Sequence, residues 1–134
     1  MKKSLIILFA LVMSYMAKAQ SVVPTEDGKY PVYCQLKAYN SWGFGKVKVL
    51  LDMGAFVEGK ANFESLYDEN GKKMKFNTPM DAINYMAKRG WKLNNVYFLT
   101  ESMGKQNVAN YILEKRVSSD DEIRKGIITQ EEKD

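Results

Sequence analysis

The 134-residue chain contains no histidine. That absence removes the commonest general base, the commonest zinc ligand and the one side chain that titrates near neutral pH without help from its surroundings. Cysteine is nearly as scarce. Cys34 is alone, so no disulfide can close within the chain and no cysteine pair can hold a metal; stability must come from apolar burial. Beyond residue 19 no apolar run approaches the ~20 residues that a membrane-spanning helix needs. Acids and lysines are plentiful, yet none pair at a spacing that suggests glycosidase carboxylates or a serine–lysine dyad. Asp120-Asp121-Glu122 lacks the alternating ligands and glycine of a calcium loop, and reads better as charge at a helix start. No catalytic residue, no metal site and no cofactor is expected.

What is present begins with Lys2 and Lys3, an apolar stretch from Leu5 to Met13, and Ala17-Lys18-Ala19 before Gln20. Charged, then apolar, then small-x-small is the order of a secretory signal peptide, here over residues 1–19 with cleavage near Ala19-Gln20. Gln20 stands where a lipoprotein would carry cysteine. The expected location is therefore secreted or periplasmic, without a membrane span. Removing the leader takes Lys2, Lys3 and Lys18 with it and leaves 17 basic against 16 acidic residues, so the whole-chain charge of +4 overstates how basic the mature protein is. The remaining charge is uneven: residues 118–134 hold six acids and three bases, which makes a basic body with an acidic tail. The length left over suits one domain with one core.

Along that domain, residues 20–29 are polar and read as a flexible leader into it, with the domain itself over 30–117. From Tyr30 to Tyr39 the sequence alternates, with Val32, Cys34, Leu36 and Ala38 on one side and Tyr33, Gln35, Lys37 and Tyr39 on the other. Val47, Val49, Leu51 and Met53 form one face of a second strand over 44–53, and the turn-rich Asn40 to Gly45 connection predicts an antiparallel hairpin. Residues 54–65 show no period. Asn70-Gly71 predicts a tight turn in a small hairpin over 66–76 at the sheet edge. Thr78-Pro79-Met80-Asp81 starts a helix expected over 79–89, with Ala82, Ile83, Met86 and Ala87 inward, and Gly90 ends it. Strands over 91–100 and 107–117 follow. Apolar residues fall on both sides of 91–100, which leaves its register open and is the pattern of a central strand covered on both faces. Residues 118–134 are expected to be a polar, mobile tail. The whole predicts an α+β fold: an antiparallel sheet of about four strands with one helix across one face.

The stretch Ile83-Asn84-Tyr85-Met86-Ala87-Lys88-Arg89-Gly90-Trp91-Lys92-Leu93 resembles a family of small α+β domains of unknown function with the signature L-N-x-x-G-x-x-G-W-E-L, of which this chain would be a secreted variant. The resemblance extends to Tyr111 through Arg116, similar to that family's closing strand. Ala87 replaces the first glycine of the signature and Lys92 its glutamate. The resemblance implies a shape, a helix joined to a strand through glycine and tryptophan, and no activity.

Two features invite chemistry. Cys34 lies on the apolar side of its strand, where free cysteine is usually a small buried hydrophobe; a thiol-dependent enzyme or redox protein is the alternative reading. The other feature is a surface. Tyr33, Lys37 and Tyr39 share a face, Lys46 and Lys48 join it from the second strand, and Trp42 and Phe44 crown the connection. Rings interleaved with ammonium groups suit a single nucleic-acid strand, but export excludes that partner and leaves a glycan, an anionic envelope surface or a protein. The expected function is thus a non-catalytic exported binding module. A further alternative is an accessory subunit whose tail orders on a partner. The oligomeric state is open.

Overall fold

The computed structural model describes residues 25–39, 45–57, 60–101 and 106–131. The expected leader over 1–19, and Trp42 and Phe44, lie outside the described residues. The chain divides into two units, 1–30 and 31–134. In the first, residues 25–29 form a turn in which the Gly28 N–H donates to the Thr25 carbonyl (2.9 Å) and the Lys29 N–H to the Asp27 carboxylate (3.1 Å).

The second unit is an α+β fold built on a six-stranded antiparallel sheet. Its strands are β1 (Tyr30–Tyr39), β2 (Lys48–Val57), β3 (Lys60–Tyr67), β4 (Lys92–Glu101), β5 (Gln106–Val117) and β6 (Ile128–Glu131), and the helix α1 is Pro79–Ala87. In space the strands run β4-β5-β1-β2-β3-β6. β1 and β2 form the expected hairpin, with Leu36 opposite Leu51 and Tyr39 opposite Lys48. Because side chains alternate along a strand, that register gives the sheet an inner face of Cys34, Leu36, Ala38, Val49, Leu51, Ala109, Tyr111 and Leu113. Ala82, Ile83 and Met86 of α1 close this core together with Phe76, Trp91 and Ile127. Leu36, Leu51 and Met86 are fully buried, each contributing about 1.5–3 kcal/mol relative to exposure.

The helix forms where its local signals lie. Thr78 Oγ1 accepts the Asp81 N–H (3.1 Å), Asp81 Oδ2 accepts the Asn77 N–H (3.0 Å), and Pro79 fills the first turn, where no amide is needed. At the other end the Gly90 N–H reaches the Ala87 carbonyl (3.1 Å) and the Trp91 N–H the Met86 carbonyl (3.2 Å). This is a Schellman closure, which requires the left-handed backbone that Gly90 adopts at φ 90°.

The architecture corrects several expectations. The sheet has six strands instead of about four, because residues 54–65, without a visible period, supply the end of β2 and most of β3. The Asn70-Gly71 turn is present, with Tyr67 bridged to Lys73. Its first arm, however, belongs to β3, which lies between β2 and β6 and not at an edge. The helix stops at Ala87, and Ala87 itself is exposed. Strand 91–100, read as central, is the edge strand β4. Within 118–134, read as a mobile tail, a 3-10 turn at Asp120–Glu122 leads through the buried Ile127 into β6, which pairs with β3.

An ion pair joins that closing segment to the sheet. Arg124 Nη1 contacts Glu64 Oε2 at 2.9 Å and also donates to Thr129 Oγ1 (2.8 Å). Glu64 lies opposite Leu51 and is buried, so its charge is tolerated on the inner face through Arg124.

Candidate binding surface

On β1 the residues alternate with those of the core, so Tyr33, Gln35, Lys37 and Tyr39 lie on the face opposite α1. The β1–β2 register sets Tyr39 directly across from Lys48 and Lys37 across from Leu50. From β3, Phe63 pairs with Asp52, which in turn pairs with Gln35. The Lys37 ammonium sits 4.5 Å from the centre of the Phe63 ring, a cation–π contact that holds the long side chain against the sheet. Gln35 Nε2 donates to Asn110 Oδ1 (2.6 Å), and Asn110 Nδ2 to the Val108 carbonyl (3.0 Å), so the fully buried Asn110 is satisfied and β1 is tied to β5. Tyr33 remains more than half exposed.

Lys46 and Lys48 flank Val47, whose N–H donates to the Phe76 carbonyl (2.8 Å). That bridge brings the segment after the Asn70-Gly71 turn alongside the start of β2. Lys46, Lys48, Lys73 and Lys75 then line a groove of about 230 Å³ floored by Val47, Val49 and Met74. Lys46 Nζ donates to Asn77 Oδ1 (2.9 Å). Five of the seven residues expected at the site are therefore described and fall in two adjoining places: Tyr33, Lys37, Tyr39 and Lys48 on one sheet face, Lys46 with Lys48 in the groove. Sequence reasoning missed Phe63, Lys73 and Lys75. The Lys72-Lys73-Met74-Lys75 run just after a predicted turn was the available signal for the last two.

The alternative thiol site has a different environment. Cys34 is 3% exposed on the inner face. Burial, and secondarily the Asp52 charge, pushes its thiol up to about 12. A reactive cysteine needs the opposite, an exposed and electropositive setting. Among the described residues no three histidine, cysteine or acidic side chains gather where they could hold a metal ion, and no helix is long and apolar enough to cross a membrane. A second cavity, about 360 Å³ between Tyr67, Met74, Tyr85 and Ile127, is also lined by Arg89 and Asp68, both of which are engaged within the fold. Arg89 stacks 3.4 Å from the Tyr85 ring centre and donates to the carbonyls of Gly126 (2.6 Å) and Tyr85 (2.8 Å). Asp68 Oδ1 accepts the N–H groups of Asn70 and Lys72, each at 2.9 Å. Comparison of the chain with protein-family models, with curated proteins and with solved structures finds no match.

Proposed function

We propose that the chain is an exported, non-catalytic binding module that engages an envelope component, an anionic surface, a glycan or a protein, through Tyr33, Lys37, Tyr39, Lys46 and Lys48, with Trp42 and Phe44 on the adjoining connection. The observation that carries this reading is the pairing of the half-buried Tyr39 directly across from the exposed Lys48, beside a groove that four lysines line. Rings supply contact area at low entropic cost, and ammonium groups supply attraction to anionic partners. The placement of Cys34 speaks against the thiol-dependent alternative. The pairing of β6 with β3 speaks against a tail that waits for a partner to order it. The likeness to the family of small α+β domains belongs to the same proposal; its support is the closure at Gly90 and the burial of Trp91 directly after it.

The test is capture from a solubilised envelope extract by the immobilised protein and by two variants, Trp42→Ala/Phe44→Ala and Lys46→Glu/Lys48→Glu. The wild type retains a component that both variants lose. Equal recovery by all three rejects the surface. Export is checked separately by the intact mass of the native protein, which should correspond to a chain beginning at Gln20.

A further inference from the structure

β4 has a neighbour on one side only among the described residues, yet its side chains do not suit an edge. Leu93, Val96 and Phe98 pair with Leu113, Tyr111 and Ala109 of β5, all three buried on the inner face, while Leu99 pairs with the fully buried Val108 on the other face. The apolar surface of the sheet therefore continues on both faces into β4 and is left in solvent there, with Phe98 69% exposed. Natural edges are blunted by shortness, lysine or proline. The opposite edge follows that rule, since β6 has four residues. β4 has ten, and from Leu93 to Thr100 it carries neither charge nor proline. Its one irregularity lies at its start, between Leu93 and Asn95. The Val96 N–H donates to its neighbour Asn95 Oδ1 (2.8 Å), a side chain standing where a strand partner would accept.

We propose that the missing neighbour is a second copy of this chain, paired β4 to β4 in antiparallel fashion about a two-fold axis at Tyr97. The strand is self-complementary in that register. Val96 of each copy lies beside Phe98 of the other on the inner face, and Asn95 lies beside Leu99 on the outer. An antiparallel pair also sets the Lys92 end of one copy next to the Glu101 end of the other, so opposite charges meet at both ends of an uncharged centre. A closed two-fold pairing uses the β4 edge of both copies at once and leaves at the ends of the joined sheet only the short β6 strands. Val96 and Phe98 exchange backbone hydrogen bonds, which releases Asn95 and makes Tyr97 opposite Tyr97 a non-hydrogen-bonded pair with Cα atoms roughly 4.5 Å apart.

The experiment is analytical ultracentrifugation of the purified full chain over a wide concentration range, alongside Phe98→Lys. It is joined by a crosslinking arm in a Cys34→Ala background. The wild type is a reversible dimer, and Phe98→Lys raises its dissociation constant by about tenfold or more while leaving the circular dichroism spectrum unchanged. Tyr97→Cys forms an intermolecular disulfide on mild oxidation, since a roughly 4.5 Å Cα separation lies within disulfide reach. Asn70→Cys, on an exposed turn, does not. A wild type that stays monomeric at every concentration overturns the proposal, even if it captures an unrelated protein. So does a dimer indifferent to Phe98→Lys, or one in which Tyr97→Cys crosslinks no faster than Asn70→Cys. Should Phe98→Lys fail to fold, the crosslinking comparison decides.

Discussion

Titrating Cys34 tests the packing of the core and the non-catalytic reading together. Its thiol is raised from 9.0 to about 12, first by burial and then by the Asp52 charge. At pH 8 an ordinary thiol of that starting value is about one-tenth thiolate, and Cys34 about one ten-thousandth, so modification of the native protein by a disulfide reagent should be slower by roughly a thousandfold than in denaturant. Steric exclusion slows it further. The same shift has a stability consequence with a definite sign. The folded state holds the Cys34 proton between pH 9.0 and about 12 while the unfolded state releases it, so the native state binds more protons there and stability falls as pH rises. The contribution is intact below pH 9.0 and lost progressively above it, by about 2 kcal/mol at roughly pH 10.5. Cys34→Ala lacks this term but loses the packing of the sulfur, about 1 kcal/mol. In urea unfolding against pH, the wild type is therefore the more stable protein at neutrality and the less stable above about pH 10. Rapid modification of the native thiol at neutral pH, or parallel stability curves for the two proteins, refutes the buried placement.

Two further predictions concern the closing elements of the fold. Arg124→Ala leaves the buried Glu64 carboxylate without its ion pair; because Arg124 is partly exposed, the cost is about 1–3 kcal/mol in urea unfolding, and Arg124→Ala/Glu64→Gln should recover part of it. An unchanged midpoint in Arg124→Ala would show that β6 is not held by this pair. Gly90→Ala forces a side chain into a backbone at φ 90° with its Cβ 3.2 Å from the flexible Lys115 Cε. The backbone term dominates at about 1–2 kcal/mol, and a calorimetric Tm equal to wild type contradicts the closure described.

The legible parts of the fold were those with local causes. β1 could be read because its two faces differ, Cys34, Leu36 and Ala38 against Gln35, Lys37 and Tyr39. α1 could be read because Thr78, Pro79, Asp81 and Gly90 each act within one turn of its ends. β3 was hidden because Glu64 occupies an inward position, a charge that breaks the alternation and is met by Arg124 from sixty residues away. β6 was hidden because four residues flanked by charge carry no period, and only pairing with β3 makes them a strand. β4 was misplaced for the opposite reason. Its apolar residues on both faces are those of a covered strand, while strand order is set by long-range pairing that the sequence of one strand does not encode. The basic and aromatic surface was legible on β1 from alternation alone. Lys73 and Lys75 joined it only through the Val47–Phe76 bridge.

The central claim is that the molecule works by contact at the β1–β2 corner. Amide hydrogen exchange of the full chain, alone and bound to its captured envelope component, reads that corner directly. Slowed exchange concentrated in residues 33–39 and 46–48, abolished by Lys46→Glu/Lys48→Glu, is the predicted result. Protection confined to other elements, with that corner exchanging as in the free protein, would contradict it.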